Sequence, residues 1–242
     1  MANLHERAKP GEDTEDRPAV HDRLVDTGVG TRQDQWMSRC ERPLVVAVCG
    51  SPGAGKTTVA GATARHLGVP FLTRDEIKAG LGLSSASVAE DDGVQLTPDF
   101  HIAGGPLSLR AESVMVDTAR LLASSGLSFV VESSVLSRKL LDTLRACDAQ
   151  VLAVHVVARD SVIAERLRAR AARGGAVDRQ LAAQFQRGEM KPSIFAPPAE
   201  ADAIVEVETS SDGAPDIDPI EAAVVTLLRV RDAASPSLSG TG

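Results

Sequence analysis

Eight residues constrain this chain more than any others. Gly50-Ser51-Pro52-Gly53-Ala54-Gly55-Lys56-Thr57 fits the pattern GxxxxGK[ST] at every fixed position. It directly follows Leu44–Cys49 (LVVAVC), a continuous apolar run of the kind buried on both faces of a parallel sheet, and it opens a helical pattern over Lys56–Leu67. Glycines let a backbone curl until successive N–H groups converge on a phosphate, and the start of the next helix adds its positive end. In such a loop Lys56 reaches the terminal phosphates as a point charge, and Thr57 offers its hydroxyl to Mg2+. The pattern therefore places Gly50 through Thr57 around a nucleotide, with ATP and Mg2+ as the expected cofactors and Thr57 as the metal ligand. Thr58 falls at the rim of the same site, packing or capping rather than holding metal. A chance glycine-rich turn between strand and helix would lack this full match in this context.

Beyond the loop, apolar strands alternate with helical spacings. Strands are expected at Val69–Thr73, Leu127–Val131, Gln150–Ala158 and Ala203–Glu208, with helices at Leu107–Ser124, Ser137–Ala146, Ser161–Ala172, Gln180–Gly188 and Pro219–Val230. That alternation predicts right-handed crossovers and a doubly wound, five-stranded parallel sheet flanked by helices, with ligands beyond the carboxyl ends of the strands. Residues 1–42 are polar, mixed in charge and without apolar period, and are expected to be a poorly ordered extension. Residues 43–232 are expected to form the domain and 233–242 a frayed tail. Gly80–Gly105 reads as irregular.

Composition narrows the function. Aromatics are 2% of the chain and Tyr is absent, which argues against a stacking platform for single-stranded nucleic acid. No apolar run approaches a membrane span, and three widely spaced cysteines suit a reducing cytoplasm better than a disulfide framework. The net charge is −7, yet residues 159–191 carry eight basic side chains against four acids. A basic island in an acidic chain points to a local anionic ligand. No feature sets an oligomeric state.

Among nucleotide-binding classes, a switch GTPase should carry NKxD, which is absent, and a motor-type ATPase should show paired acids at a strand end, where here Glu132 stands alone after Phe129-Val130-Val131. Phe71-Leu72-Thr73-Arg74-Asp75-Glu76-Ile77 puts Asp75 at the end of the second strand, where the plainer role is an N-cap for a helix over Glu76–Leu81. With the loop and the Arg-rich helix Arg166-Leu167-Arg168-Ala169-Arg170-Ala171-Ala172-Arg173, this order resembles P-loop small-molecule kinases. The group includes chloramphenicol phosphotransferase-like and zeta-toxin-like enzymes and shares the layout of nucleoside monophosphate kinases. The resemblance covers roughly residues 44–209.

It implies that Asp75 is the base accepting a proton from the attacking hydroxyl, and that Glu132 holds Mg2+ through water or binds substrate. It implies an Arg-rich lid near 159–178, hinged at Gly174 and Gly175. Arg166, Arg170 and Arg173 share one helix face there and would bring cations to the transferring phosphoryl group. Arg74 and Lys78 are candidate clamps for the acceptor. Within the irregular Glu90–Arg110 stretch, Asp99, Phe100, His101 and Arg110 are further acceptor-site candidates. His155 reads as a core histidine, Met115 and Met190 as packing, and Cys49 as buried and unreactive. Thr209 and the residues after it fall where such kinases rest their adenine.

The resulting expectation is an ATP- and Mg2+-dependent phosphotransferase acting on a hydroxyl of a small polar acceptor such as an antibiotic, a nucleoside or a sugar. Three alternatives stay open: a toxin-like kinase, a polynucleotide 5′-hydroxyl kinase, and a nucleotide-binding regulatory module with little turnover.

Overall fold

Five strands lie in one all-parallel sheet, and its central strand is the apolar run that precedes the phosphate loop. The computed structural model describes residues 42–86, 106–173 and 176–234, all within the unit Thr31–Gly242. The elements in chain order are β1 (Leu44–Cys49), α1 (Lys56–Leu67), β2 (Phe71–Thr73), α2 (Arg74–Ala86), α3 (Pro106–Ser124), β3 (Phe129–Glu132), α4 (Arg138–Ala146), β4 (Gln150–Val157), α5 (Asp160–Arg173), α6 (Ala176–Gln186), a 3-10 turn (Pro192–Ile194), β5 (Ala203–Glu208) and α7 (Asp218–Ala234). The sheet order is β2-β3-β1-β4-β5. β1 pairs with β3 from Val45↔Phe129 to Val48↔Glu132, and with β4 from Leu44↔Gln150 to Cys49↔His155. The register brings the ends of β1 and β3 level, so Glu132 finishes beside the start of the phosphate loop.

The alternation along β1 divides the core. Leu44, Val46 and Val48 face α1 and α7, packing with Val59, Leu67, Leu152, Ile220 and Val224. Val45, Ala47 and Cys49 face α3 and α4, packing with Met115, Phe129, Leu140 and Leu144. Every residue of β1 is buried, as a strand covered on both faces requires. A third, smaller cluster, Ile163, Leu167, Leu181, Met190 and Phe195, ties α5 and α6 together. β5 is an edge strand with its glutamates outward.

Local chemistry sets the element ends. Gly68 caps α1 in the left-handed region at φ 66°, sending its N–H back to the Ala64 carbonyl. Ser137 caps α4, its hydroxyl accepting the Leu140 N–H at 3.1 Å. Two readings of the sequence change here. The helix after β2 begins at Arg74, which puts Asp75 in its first turn and not at the N-cap. It also runs on to Ala86, so the irregular stretch does not begin at Gly80. Packing of α2 on α3, with Ile77 against the core, outweighs the helix cost of Gly80 and Gly82, about 1 kcal/mol each. His155 is not a core residue: it is half-buried, with Nδ1 3.5 Å from Glu206 Oε2 on the edge strand. Residues 1–41, most of Glu90–Arg110 and the glycine pair 174–175 lie outside the described residues.

Cys49 sits at 0% exposure, and burial pushes its thiol up to about 12 from an ordinary 9.0. At pH 8 its thiolate fraction falls roughly a thousandfold. Alkylation of the native protein, mapped by peptide mass spectrometry, is expected to mark the partly exposed Cys147 while leaving Cys49 unmodified until the chain unfolds.

Candidate active site

The loop's shape depends on glycines where no side chain fits. At Gly50, φ is 142° and an added Cβ would lie 2.2 Å from the Val156 carbonyl oxygen on β4. At Gly55, φ is 92° and a Cβ would press within 3.3 Å of the Thr209 hydroxyl. Thr209, just past β5, donates its hydroxyl to the Ala54 carbonyl at 2.6 Å. Arg166 from α5 donates to the Gly53 carbonyl at 3.3 Å, and to the hydroxyl and carbonyl of Thr209 at 3.1 and 2.6 Å. These bonds hold the loop's carbonyls toward β5 and α5. The Gly50 N–H goes to the Ser134 carbonyl at 3.3 Å, and the Ala54 N–H to the Ser51 carbonyl at 3.1 Å.

At the centre, Lys56 is 7% exposed and donates to the Ser51 carbonyl at 3.1 Å. Its ammonium stands 3.9 Å from Glu132 Oε1, which is itself almost wholly buried. Burial pushes the Lys56 pKa down, and Glu132 followed by Asp75 pulls it back. Burial pushes the Glu132 carboxyl up, while Lys56 and hydrogen bonds from Thr73 and Thr57 oppose that rise. The Thr57 hydroxyl reaches Glu132 Oε2 at 3.4 Å. One hydroxyl, one carboxylate and one ammonium thus converge at the mouth of the loop, a donor set suited to phosphate oxygens and a hard divalent cation.

Two clefts open from this point. The first, about 510 Å³, runs between the loop, α5 and the segment after β5, and includes Gly55, Thr58, Arg166, Arg173, Thr209 and Asp216. The second, about 420 Å³, lies on the other side, against the end of β2, α2 and α6, and includes Thr73, Arg74, Asp75, Lys78, Ser134 and Asp178. Lys56, Thr57 and Arg170 line both. Arg170 reaches the second cleft while paired with Asp178 at 3.0 Å.

The structure therefore gathers Lys56, Thr57, Asp75, Glu132, Arg74, Lys78 and Arg170 around one junction. Ser51 contributes a carbonyl to Lys56, Pro52 lines the second cleft, and Ala54 is buried beneath the loop. Arg173 lines the first cleft and bonds within its own helix, Nε to the Ala169 carbonyl at 3.2 Å. Arg110 is exposed on α3 and lines neither cleft. His101, with Asp99 and Phe100, lies outside the described residues. Sequence reasoning attached no site role to Thr73, Ser134, Asp178 or Glu112. Glu112 on α3 stands 3.8 Å from Arg74 and accepts a short hydrogen bond from the Ser137 hydroxyl. Nothing local in the sequence marks that pairing, because the partners come from three different elements.

Replacing Gly50 with Ala meets both the Val156 carbonyl and an unfavourable φ, and is expected to cost about 3 kcal/mol or more by denaturant unfolding. Glu132→Gln removes the carboxylate that pulls the Lys56 pKa upward. Lys56 titration, followed by NMR of the five lysine side chains, should then move further down; an upward shift would contradict the pairing described.

No curated protein matches the chain in sequence. Among solved structures, one described as "a putative kinase from chloroflexus aurantiacus" is similar at 21% identity and a TM-score of 0.57, covering 80% of this chain and 98% of its own. A gluconokinase from Sinorhizobium meliloti follows at 22% identity and 0.46, covering 79% and 95%, and a shikimate kinase from Bacteroides thetaiotaomicron at 19% and 0.40, covering 78% and 98%. The first shares the α/β architecture of the P-loop kinase-like fold seen here. A family model described as "AAA domain" matches residues 45–190, and in this chain its sheet has β3 directly beside β1 and ends that strand in one acid, not the pair of a motor ATPase. The chain belongs to this AAA domain family, with a complete phosphate-loop pattern at Gly50–Thr57.

Proposed function

We propose that the protein transfers the γ-phosphoryl group of ATP, with Mg2+, to a hydroxyl of a small polar acceptor. The observation that carries this reading is the junction: two clefts of comparable size share Lys56, Thr57 and Arg170. A site that merely hydrolyses or senses nucleotide needs only the first. A site that moves a group between two molecules needs both, with the group crossing where they meet.

The residues fit a magnesium nucleotide. The Lys56 ammonium and the Thr57 hydroxyl face that junction, and Gly55 leaves space that a Cβ would fill. When bound, Mg2+ supplies charge neutralisation on phosphate oxygens, with Thr57 and Glu132 as the residues that would hold it. Lys56 is buried, so its charge is felt strongly by phosphate, and Ser51 keeps it aimed. Arg166 and Thr209 fix the loop, while Arg170 brings a cation to the crossing point. Asp75, exposed in the second cleft, takes the acceptor's hydroxyl proton as the new O–P bond forms and the bond to ADP breaks. The two cysteines described are free, in keeping with a reducing cytoplasm as the place of action.

Turnover of ATP across a panel of antibiotics, nucleosides and sugars tests the reading. With the accepted substrate, Asp75→Asn is expected to lower kcat by roughly 10²–10⁴-fold with magnesium-nucleotide affinity retained. Undiminished turnover in the variant would remove Asp75 from this role.

A further inference from the structure

Asp75 is exposed in the second cleft, so the protein's hold on it comes through the backbone of the corner where β2 becomes α2. The two residues before it are buried and tied to different elements. The Thr73 side chain bonds to the Glu132 carboxylate on the neighbouring strand, where the register sets the two residues opposite each other. The Arg74 guanidinium meets α3, its Nη1 standing 3.8 Å from Glu112 Oε2. Glu112 is anchored in turn. Its Oε1 accepts a short hydrogen bond from the Ser137 hydroxyl, and Ser137 caps α4 by accepting the Leu140 N–H at 3.1 Å. Residues 133–136 then lead back from Ser137 to Glu132. The contacts close a ring: Glu132 to Thr73, along the chain to Arg74, across to Glu112, on to Ser137, and home along the backbone.

A corner held at one point can pivot about it; a corner held in a closed ring cannot. The pair of Arg74 and Glu112 is too long for a hydrogen bond, but little water reaches it, so its attraction is weakly screened. Glu112 lines neither cleft, which leaves it no route to the reaction except through Arg74. Helix packing of α2 on α3 and of α3 on α4 keeps the ring's members in register. We propose that Glu112 is a positioning residue for phosphotransfer: through Arg74 it fixes the first turn of α2, so that the Asp75 carboxylate is held at the place where an acceptor hydroxyl must lose its proton. This rests on the phosphotransfer reading, with Asp75 as base, and adds a residue from outside the clefts to its machinery.

The test is a double-mutant cycle on the full chain. The reaction followed is phosphorylation of whichever antibiotic, nucleoside or sugar is accepted, or, where none is, hydrolysis of magnesium ATP by water. Glu112→Gln keeps the side chain's shape and its bond from Ser137 but removes the charge facing Arg74. It is expected to lower kcat about 10- to 100-fold, as a misplaced catalytic group does. Magnesium-nucleotide affinity should stay within about twofold of wild type, the mark of an interaction that serves the chemical step. In an Asp75→Asn background, where no carboxylate is left to position, the same change should cost less than about threefold. Ser137→Ala is expected to lower kcat in the same direction, and Ser137→Thr to restore it, since threonine keeps both the hydroxyl and the cap. The thermal shift produced by magnesium nucleotide checks that each variant folds, and the Ser137 pair decides alone if Glu112→Gln does not. Undiminished kcat in Glu112→Gln or Ser137→Ala would overturn the assignment. So would an equal fold loss in the Asp75→Asn background, or a parallel loss of nucleotide affinity, either of which marks Glu112 as general support of the fold. Those outcomes leave phosphotransfer standing, whereas a wild type that neither phosphorylates any of these acceptors nor hydrolyses ATP fails that reading and this assignment with it.

Discussion

A lysine ammonium kept almost out of water is the constraint around which the rest is arranged. Lys56 opens α1 from the end of a fully buried strand, and its charge is met by the Ser51 carbonyl, by Glu132 at 3.9 Å and by the attraction of Asp75. That arrangement is expensive in a folded protein, since burial disfavours both charges of the pair. It persists because the surroundings over-determine it. Gly50 abuts the Val156 carbonyl, and Thr209 and Arg166 hold the carbonyls of Ala54 and Gly53. The parallel register of β1 with β3 delivers Glu132 to the same depth. Terminal phosphates of a nucleotide would supply the charge that the native contacts leave incomplete.

Position in the sheet explains the division of labour. The phosphate loop, Asp75, Glu132 and Thr209 all lie at the carboxyl ends of parallel strands, where loops and helix starts converge. β1 supplies the loop, β2 leads into Asp75, β3 ends in Glu132 and β5 ends at Thr209. α5 then lies across both openings. Its Arg166 is committed to the protein, with three bonds to the loop and Thr209, whereas Arg170 pairs with Asp178 and borders both clefts. Two arginines one helical turn apart therefore differ in kind. The first is part of the scaffold; the second reaches, through its pair with Asp178, the junction where the two clefts meet.

Much of this was legible in the sequence, for reasons that differ by feature. LVVAVC reads as a doubly covered strand because nothing polar interrupts it, and the loop that follows reads as phosphate-binding because glycines and lysine fall at fixed offsets. Helix α1 and strand β5 have the bounds that periodicity gives them. The second helix was harder. Gly80 and Gly82 signal a break, yet α2 continues to Ala86 because α3 packs against it, a long-range contact that local propensity does not contain. The second cleft shows the same limit. Arg74, Asp75 and Lys78 are adjacent in sequence and easily noticed, but Asp178 and Ser134 join them only through folding. A residue such as Arg110, which looked equally suitable, comes to rest on an exposed helix face.

The most direct measurement is titration calorimetry of a non-hydrolysable magnesium ATP analogue into the wild-type protein and into Lys56→Met. The account predicts saturable heat with one site per chain in the wild type and a loss of affinity of at least about 30-fold in the variant, the equivalent of about 2 kcal/mol. Absence of binding in the wild type, or equal affinity in the two proteins, would contradict it.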